Sequence, residues 1–375
     1  MPFDSSRDSR FMSAAVRLAR RGLGKVWPNP PVACLIVQTD EKGRPVVVGR
    51  GLTSPPGGPH AEVHALRHAG EKARGATCYV TLEPCSHYGR TPPCSAALIE
   101  AGVARVVIGM LDPNPRVCGR GEKMLQDAGV EVISGVQREA CEILYAGFTS
   151  RITSQEPNVF LKLAVSKDRC IGRTGEGQVK ISNPLSMRHV HGYRATHDAI
   201  LIGIGTAVAD DPQLTCRLPG MKSSSPVRVI VDRQARLPVT SNLARTSPDV
   251  PVWLLCGNDA EREKVQALSA AGVLVIRVPA TDHGIDPKVI LGALAARGIT
   301  RLMVEGGAHI ARAFVEADVV DDLCVVTGDV EIGPEGIPAL AGLDLERVLK
   351  DPKFHRIDAG HVGRDTYQYL RRRGG

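Results

Sequence analysis

His60, Glu62, Cys85 and Cys94 are the residues of this chain whose types and spacing could do chemistry together. One imidazole and two thiols can hold a zinc ion, and three protein ligands leave the fourth tetrahedral position to water, as a catalytic rather than a structural site requires. Zinc held this way makes water a nucleophile near neutral pH, and a carboxylate two residues after the imidazole, itself not a ligand, can pass the protons on. The chemistry this serves is hydrolytic removal of an exocyclic amine from a nitrogenous ring. The general pattern is Pro-Cys with two residues before the second Cys, whereas Pro84-Cys85 is followed by eight residues before Cys94.

These side chains need elements to position them. Pro59 is expected to start a helix and so to put His60 and Glu62 in its first turn. A second helix opening near Pro93-Cys94 brings the thiols to meet them. His64 and His68 fall a turn beyond His60 with no thiol partner in the motif, and are left out of the metal set. Before the motif, Arg10 to Gly22 carries apolar residues at helical spacing, and the runs Val32–Gln38 and Pro45–Gly51 read as a hairpin. After it, strands Ala76–Leu82, Ala104–Met110 and Val130–Ser134 alternate with helices Pro93–Ala101 and Gly121–Ala128, the signature of a sheet covered by helices. An amphipathic segment, Gln137–Ala146, closes the first half. The polar stretch Thr149–Pro157 marks a boundary, giving domains 1–147 and 148–375.

The run Glu83 to Cys94, the preceding His60-Ala61-Glu62-Val63-His64-Ala65-Leu66, Pro28-Asn29-Pro30 and Asp112-Pro113-Asn114-Pro115 closely resemble the deaminase half of the bifunctional riboflavin-biosynthesis deaminase-reductase family. There the long thiol spacing is the normal one. The resemblance implies an α/β chain, with an N-terminal cytidine-deaminase-like αβα domain followed by a dihydrofolate-reductase-like α/β domain. It also implies one zinc ion and NADPH as cofactors. In the family a loop at the position of Asn29 touches the pyrimidine; a plain proline turn accounts for these residues equally well. His87 is a substrate contact by resemblance only.

In the second half, strands are expected at Asn158–Ser166, Asp198–Gly203, Val227–Val231, Val252–Leu255, Val273–Val278, Arg301–Val304, Leu323–Val326 and Asp365–Leu370. No G-x-G-x-x-G follows the first of them, which counts against a standard Rossmann site. Thr206 to Pro212 with Leu214-Thr215 and Arg217, and Val304-Glu305-Gly306-Gly307, resemble the reductase domain of the same family. A Gly pair between strand and helix lets backbone amides approach a phosphate at a helix N-terminus, although a tight turn would look the same. Arg194 and Arg217 can grip a substrate phosphate by charge-assisted bonds. By resemblance, Arg194, Leu214, Arg217 and Glu305 fall at substrate positions, and Ala164, Thr206, Asp210 and Gly307 at cofactor positions. Two residues depart from the family: Lys180 stands where many members have a Trp against the cofactor, and Arg233 where a Ser follows the Val-Asp pair. Arg233 is expected at a strand end, with its guanidinium on the 2′-phosphate of NADPH.

Composition bounds this reading. The 375 residues suffice for two cores, and 43% hydrophobic with 23% charged is ordinary for a soluble globular chain. A net charge of +7 suits a phosphorylated small substrate, and 4% aromatics argues against stacking on nucleic acid. No apolar run is long enough for a membrane span, and ten cysteines, eight of them scattered without a framework pattern, indicate a reducing compartment, so the cytoplasm is expected. Expected partners are a phosphorylated pyrimidine and further copies of the chain as dimer or tetramer, with no nucleic acid and no membrane. A tRNA or nucleoside deaminase would share the zinc motif without needing NADPH, and a second half that binds a nucleotide without reducing anything is a different class again. NADPH oxidation in the presence of deaminated substrate separates these.

Overall fold

The computed structural model describes residues 5–87, 92–115, 117–175, 177 and 179–374. Tyr88, Gly89, Arg90 and Thr91 of the thiol motif lie outside them. The chain forms two compact units, Met1–Ser154 and Gln155–Gly375. The expected division at 147/148 falls inside a helix, Arg138–Thr153. That helix continues past Ala146 because Phe148 still packs on the first core.

In the first unit β1 (Ala33–Thr39), β2 (Pro45–Leu52), β3 (Thr77–Val80), β4 (Arg105–Ile108) and β5 (Glu131–Ser134) form one sheet in the order β2-β1-β3-β4-β5. β1 runs antiparallel to β2 and β3, and β3, β4 and β5 are parallel. The two-residue period of a strand sends alternate side chains to opposite faces. Leu35, Val37, Tyr79 and Val107 therefore pack under α1 (Ser5–Ala19) and Arg138–Thr153. Cys34, Ile36, Cys78, Val80, Val106 and Ile108 pack under α2 (Ala61–Ala69), α3 (Cys94–Glu100) and α4 (Arg120–Asp127). Gly49 and Gly51 of β2 let α2 lie flush on the sheet: a Cβ at Gly51 would fall on the carbonyl oxygen of Ala61, and one at Gly49 on that of Ala65. An alanine at either would lift the helix that carries the candidate chemistry.

The second unit contains β6 (Asn158–Val165), β7 (Cys170–Arg173), β8 (Ala199–Gly203), β9 (Val227–Val231), β10 (Val252–Gly257), β11 (Leu274–Val278), β12 (Arg301–Val304), β13 (Asp322–Thr327), β14 (Gly336–Pro338), β15 (Phe354–Val362) and β16 (Asp365–Arg372). Nine of them form a sheet in the order β11-β10-β9-β8-β12-β6-β13-β16-β15, and β14 pairs with β7 alone. The sheet is parallel except where β16 pairs with β13 and β15. Its strands from β8 to β11 advance in one direction from β12 while β6 lies on the other side, so the order reverses at β8, β12 and β6. Open sheets bind ligands at the carboxyl ends of strands at such a point. The strands β7, β14 and β15 are absent from the sequence-based reading. β15 is an edge strand whose middle residues face solvent, so it carries no apolar alternation.

Candidate functional site

The structure places His60 one residue before α2, with φ −73° and ψ 165°, so it is the extended N-cap and not part of the first turn. An N-cap residue keeps β-region dihedrals, and this frees the imidazole to turn back toward the loop after β3. Glu62 is in the first turn and buried. Cys94 opens α3. The Nδ1 of His60 lies 3.3 Å from Cys94 Sγ and 3.7 Å from Cys85 Sγ, and the three donor atoms are all within 4.8 Å of one another. A tetrahedral ion with bonds of ~2.0–2.3 Å sets its donors roughly 3.3–3.8 Å apart, so the set fits zinc.

The electrostatics agree with a cation between these groups. The Cys85 thiol is pushed down to about 4 by its hydrogen bond with Cys94, with help from His60. Cys94 is pushed far up, first by that same bond and then by burial and the neighbouring Glu62. The pair thus holds one negative charge more readily than two. The hydrogen bond with Cys85 raises His60, and burial raises Glu62 to about 7. The amide of Cys94 donates to Cys85 Sγ at 3.3 Å, and Ser95 Oγ donates to the Cys85 carbonyl at 2.7 Å. His64 instead bonds Ser54 Oγ at 2.7 Å, and His68 Nδ1 accepts from the Arg50 amide. Asn29 is half-buried in the loop before β1, its amide turned to the Val26 carbonyl.

In the second unit Ala164, Thr206, Glu305 and Gly307 lie at or just beyond the carboxyl ends of β6, β8 and β12. Glu305 follows β12, and its amide is held by the Leu201 carbonyl of β8 at 3.0 Å. Gly306 and Gly307 have φ of 115° and 82° and lead into the helix Ala308–Glu316. A Cβ at Gly307 would come within 3.0 Å of Thr206 Oγ1, in the helix Ile204–Asp210. Thr206 and Gly307 are therefore neighbours, each at the start of the helix that follows its strand. Asp210 is half-buried and its carboxyl is raised by burial. Ala164 lies on β6 opposite Val326.

Arg194 is paired with Glu305, which the resemblance also puts on the substrate side. Its Nε and Nη2 donate to one Glu305 oxygen at 2.9 and 2.8 Å, and its Nη1 donates to the Thr215 carbonyl at 3.1 Å. Lys162 faces the other Glu305 oxygen at 3.7 Å from within the sheet. Burial would raise the Glu305 carboxyl, but Arg194 and Lys162 hold it below its usual range. Arg217 is exposed, and its amide donates to His191 Nδ1 at 3.4 Å. Leu214 is buried with φ 54°. Lys180 is exposed. Arg233 does emerge after β9, but its Nη2 already pairs with Asp259 and Asp282, both at 3.1 Å. Lys162 and His191 were not singled out from sequence. A buried Lys in an apolar run, Phe160-Leu161-Lys162-Leu163, is the signal that could have found the first, because Lys is almost never buried without a partner.

Two family models match the chain. One described as the RibD C-terminal domain covers residues 157–362, and one described as the cytidine and deoxycytidylate deaminase zinc-binding region covers residues 5–110. The chain is similar to riboflavin biosynthesis protein RibD of Escherichia coli (strain K12), at 39% identity over 97% of this chain and 99% of that one. It superposes on Acinetobacter baumannii RibD with a TM-score of 0.84 at 34% identity, covering 99% of this chain and 100% of that one. A diaminohydroxyphosphoribosylaminopyrimidine deaminase/5-amino-6-(5-phosphoribosylamino)uracil reductase from Thermotoga maritima superposes equally well, with a TM-score of 0.84 at 33% identity over 99% and 100% of the two chains.

Proposed function

This chain belongs to the RibD family of riboflavin biosynthesis, which joins a zinc-dependent deaminase to an NADPH-dependent reductase, and on that premise we propose how its residues divide two consecutive reactions. In the first, residues 1–154 hydrolyse the exocyclic amine of 2,5-diamino-6-(5-phosphoribosylamino)pyrimidin-4-one: a C–N bond breaks, a C–O bond forms and ammonia leaves. The observation that carries this is the convergence of His60, Cys85 and Cys94 donor atoms within 4.8 Å. Zinc, when bound there, supplies the Lewis acidity that makes water a nucleophile at neutral pH. His60, Cys85 and Cys94 hold the ion. Glu62, buried beside Cys94, takes the proton of the attacking water and delivers it to the leaving amine. Asn29 is the proposed contact to the ring.

In the second reaction residues 155–375 reduce the ribosyl group of the deaminated product to a ribityl chain. NADPH supplies the hydride. Gly307 and Thr206 form the bare cradle for a cofactor phosphate, with Asp210 and Ala164 beside it, and Lys180 and Arg233 as outer contacts. On the substrate side Arg217 takes the phosphate. Arg194, Glu305 and Lys162 form a preset polar floor, and Leu214 packs behind it.

The test is a coupled assay with the diamino compound. Wild-type protein should release ammonia without NADPH and oxidise NADPH only after that release. Glu62→Gln should release none yet oxidise NADPH with substrate deaminated beforehand, as should residues 155–375 alone. Loss of that reduction in Glu62→Gln would overturn the division of labour. A homo-oligomer, dimer or tetramer, in the cytoplasm belongs to the same proposal. All ten cysteines are unpaired, which supports a reducing compartment, and light scattering of the purified chain reads the assembly.

A further inference from the structure

Glu83 precedes Cys85 by two residues and Cys94 by eleven, yet its carboxylate is buried and turned to backbone amides. One of its oxygens accepts from the amides of Asp112 and Gly119, both at 3.0 Å. The other accepts from Gly121 at 2.8 Å and Glu122 at 3.3 Å, at the start of α4. Four backbone donors from a segment some thirty residues away thus end on one side chain. A negative group there also suits the helix dipole.

The segment it gathers lies against the reactive centre. β3 and β4 are parallel neighbours, and the chains leaving them stay joined: the Glu83 amide donates to the Met110 carbonyl at 2.9 Å, and the Gly109 amide to the Val80 carbonyl at 2.9 Å. Asp112 sits close enough to feel the charges of Glu83, His87 and Cys85. Its side chain accepts from the Asn114 amide at 2.8 Å, which closes the Asp112-Pro113-Asn114-Pro115 turn. Behind it Gly121 presses on Pro84, whose carbonyl oxygen would collide with any Cβ at that position.

We propose that Glu83 is a positioning residue for deamination: it fastens Asp112 and Gly119 to the thiol-bearing turn, so that the Asp112–Pro115 turn forms the substrate-facing wall beside the zinc ligands. This rests on the functional reading above. The wall acts on substrate binding, while the zinc ligands and Glu62 keep their own supports.

The bifunctional chain carries its own control. Glu83→Gln keeps the shape but replaces an acceptor oxygen by an amide that cannot accept, leaving buried backbone donors unmatched. In full-length Glu83→Gln the deaminase KM should rise roughly 10–100-fold, the scale of one or two lost buried hydrogen bonds. Zinc content, deaminase kcat and reduction of pre-deaminated substrate should stay at wild-type levels. Because Glu83→Gln could disturb the thiol turn itself, Asp112→Ala approaches from the loop side by removing the acceptor of the Asn114 amide, and should show a KM defect of the same direction with zinc retained. Glu83→Asp, which keeps the charge, should recover part of the lost affinity. Zinc loss in both variants, a fall in kcat at unchanged KM, or an unchanged KM in both would overturn the proposal. Wild-type protein that releases no ammonia from the diamino compound would overturn the functional reading instead.

Discussion

In the deaminase unit His60, Cys85, Cys94 and Glu62 converge and leave one point short of positive charge; in the reductase unit Arg194, Glu305 and Lys162 converge and neutralise one another. The first arrangement is completed by a metal ion. The second is complete in itself, and beside it stand the positive-φ pair Gly306-Gly307 and the exposed Arg217, the ligand contacts proposed above. Reactivity held in side chains is concentrated in a short stretch of sequence, whereas a site made by glycines, strand ends and internally paired charges draws its parts from residues 162 to 307.

The contrast is broken most severely by removing a thiol. Cys94→Ser should lose zinc and deamination together, read by metal analysis and ammonia release, while NADPH oxidation with pre-deaminated substrate persists. Glu62→Gln should keep the metal and lose about 10²–10⁴ in deaminase kcat, the usual effect of removing an acid-base group. If both variants also abolish reduction, the units are not independent.

The next largest effect belongs to the neutralised cluster. Glu305→Gln leaves Arg194 and Lys162 without their counter-charge, and breaking a buried pair in this way costs about 3–5 kcal/mol. The chain has two tryptophans, Trp27 in the first unit and Trp253 in the second. Denaturation followed by Trp253 fluorescence in a Trp27→Phe background should show the loss, with zinc content and deamination unaffected. A small change there would mean that the cluster is well solvated.

A smaller effect comes from His197, which stacks on Phe160 with ring centres 5.1 Å apart and bonds the Tyr193 carbonyl at 2.7 Å. Burial, then the nearby Arg301, pushes it down to about 3. It is neutral in the folded chain, while the unfolded chain takes up a proton below its ordinary pKa of ~6.5. The stabilisation is therefore fully present above that pH and is lost as pH falls toward 3, at up to about 1.4 kcal/mol per unit. His197→Asn keeps a donor near the Nδ1 position and removes the titration, so its Trp253 transition should be weaker overall but flatter between those limits. An unchanged slope would assign the acid sensitivity to other groups.

The smallest expected effect is at Arg233. If the 2′-phosphate displaces Asp259 and Asp282, which are exposed, Arg233→Ser should weaken NADPH more than NADH, by less than about tenfold because the site is open to solvent. Equal changes in the two KM values would leave Arg233 as a surface ion pair.

Residue type and spacing alone determined the metal set, the carboxylate beside it and the two helix-covered sheets, because zinc ligands tolerate few substitutes and strand and helix periods are local. The central parallel strands were legible as continuous apolar runs. The edge strand Phe354–Val362 was not, since one exposed to solvent needs no such run. Tertiary structure alone decided that Arg194 pairs with Glu305, that Lys162 faces the same carboxylate, and that Glu83 turns to the backbone amides of a distant segment. Each of these depends on which strand lies beside which. β12 separates β8 from β6, although more than ninety residues of chain lie between β8 and β12, and no local pattern encodes the partner of a charge that far along the chain.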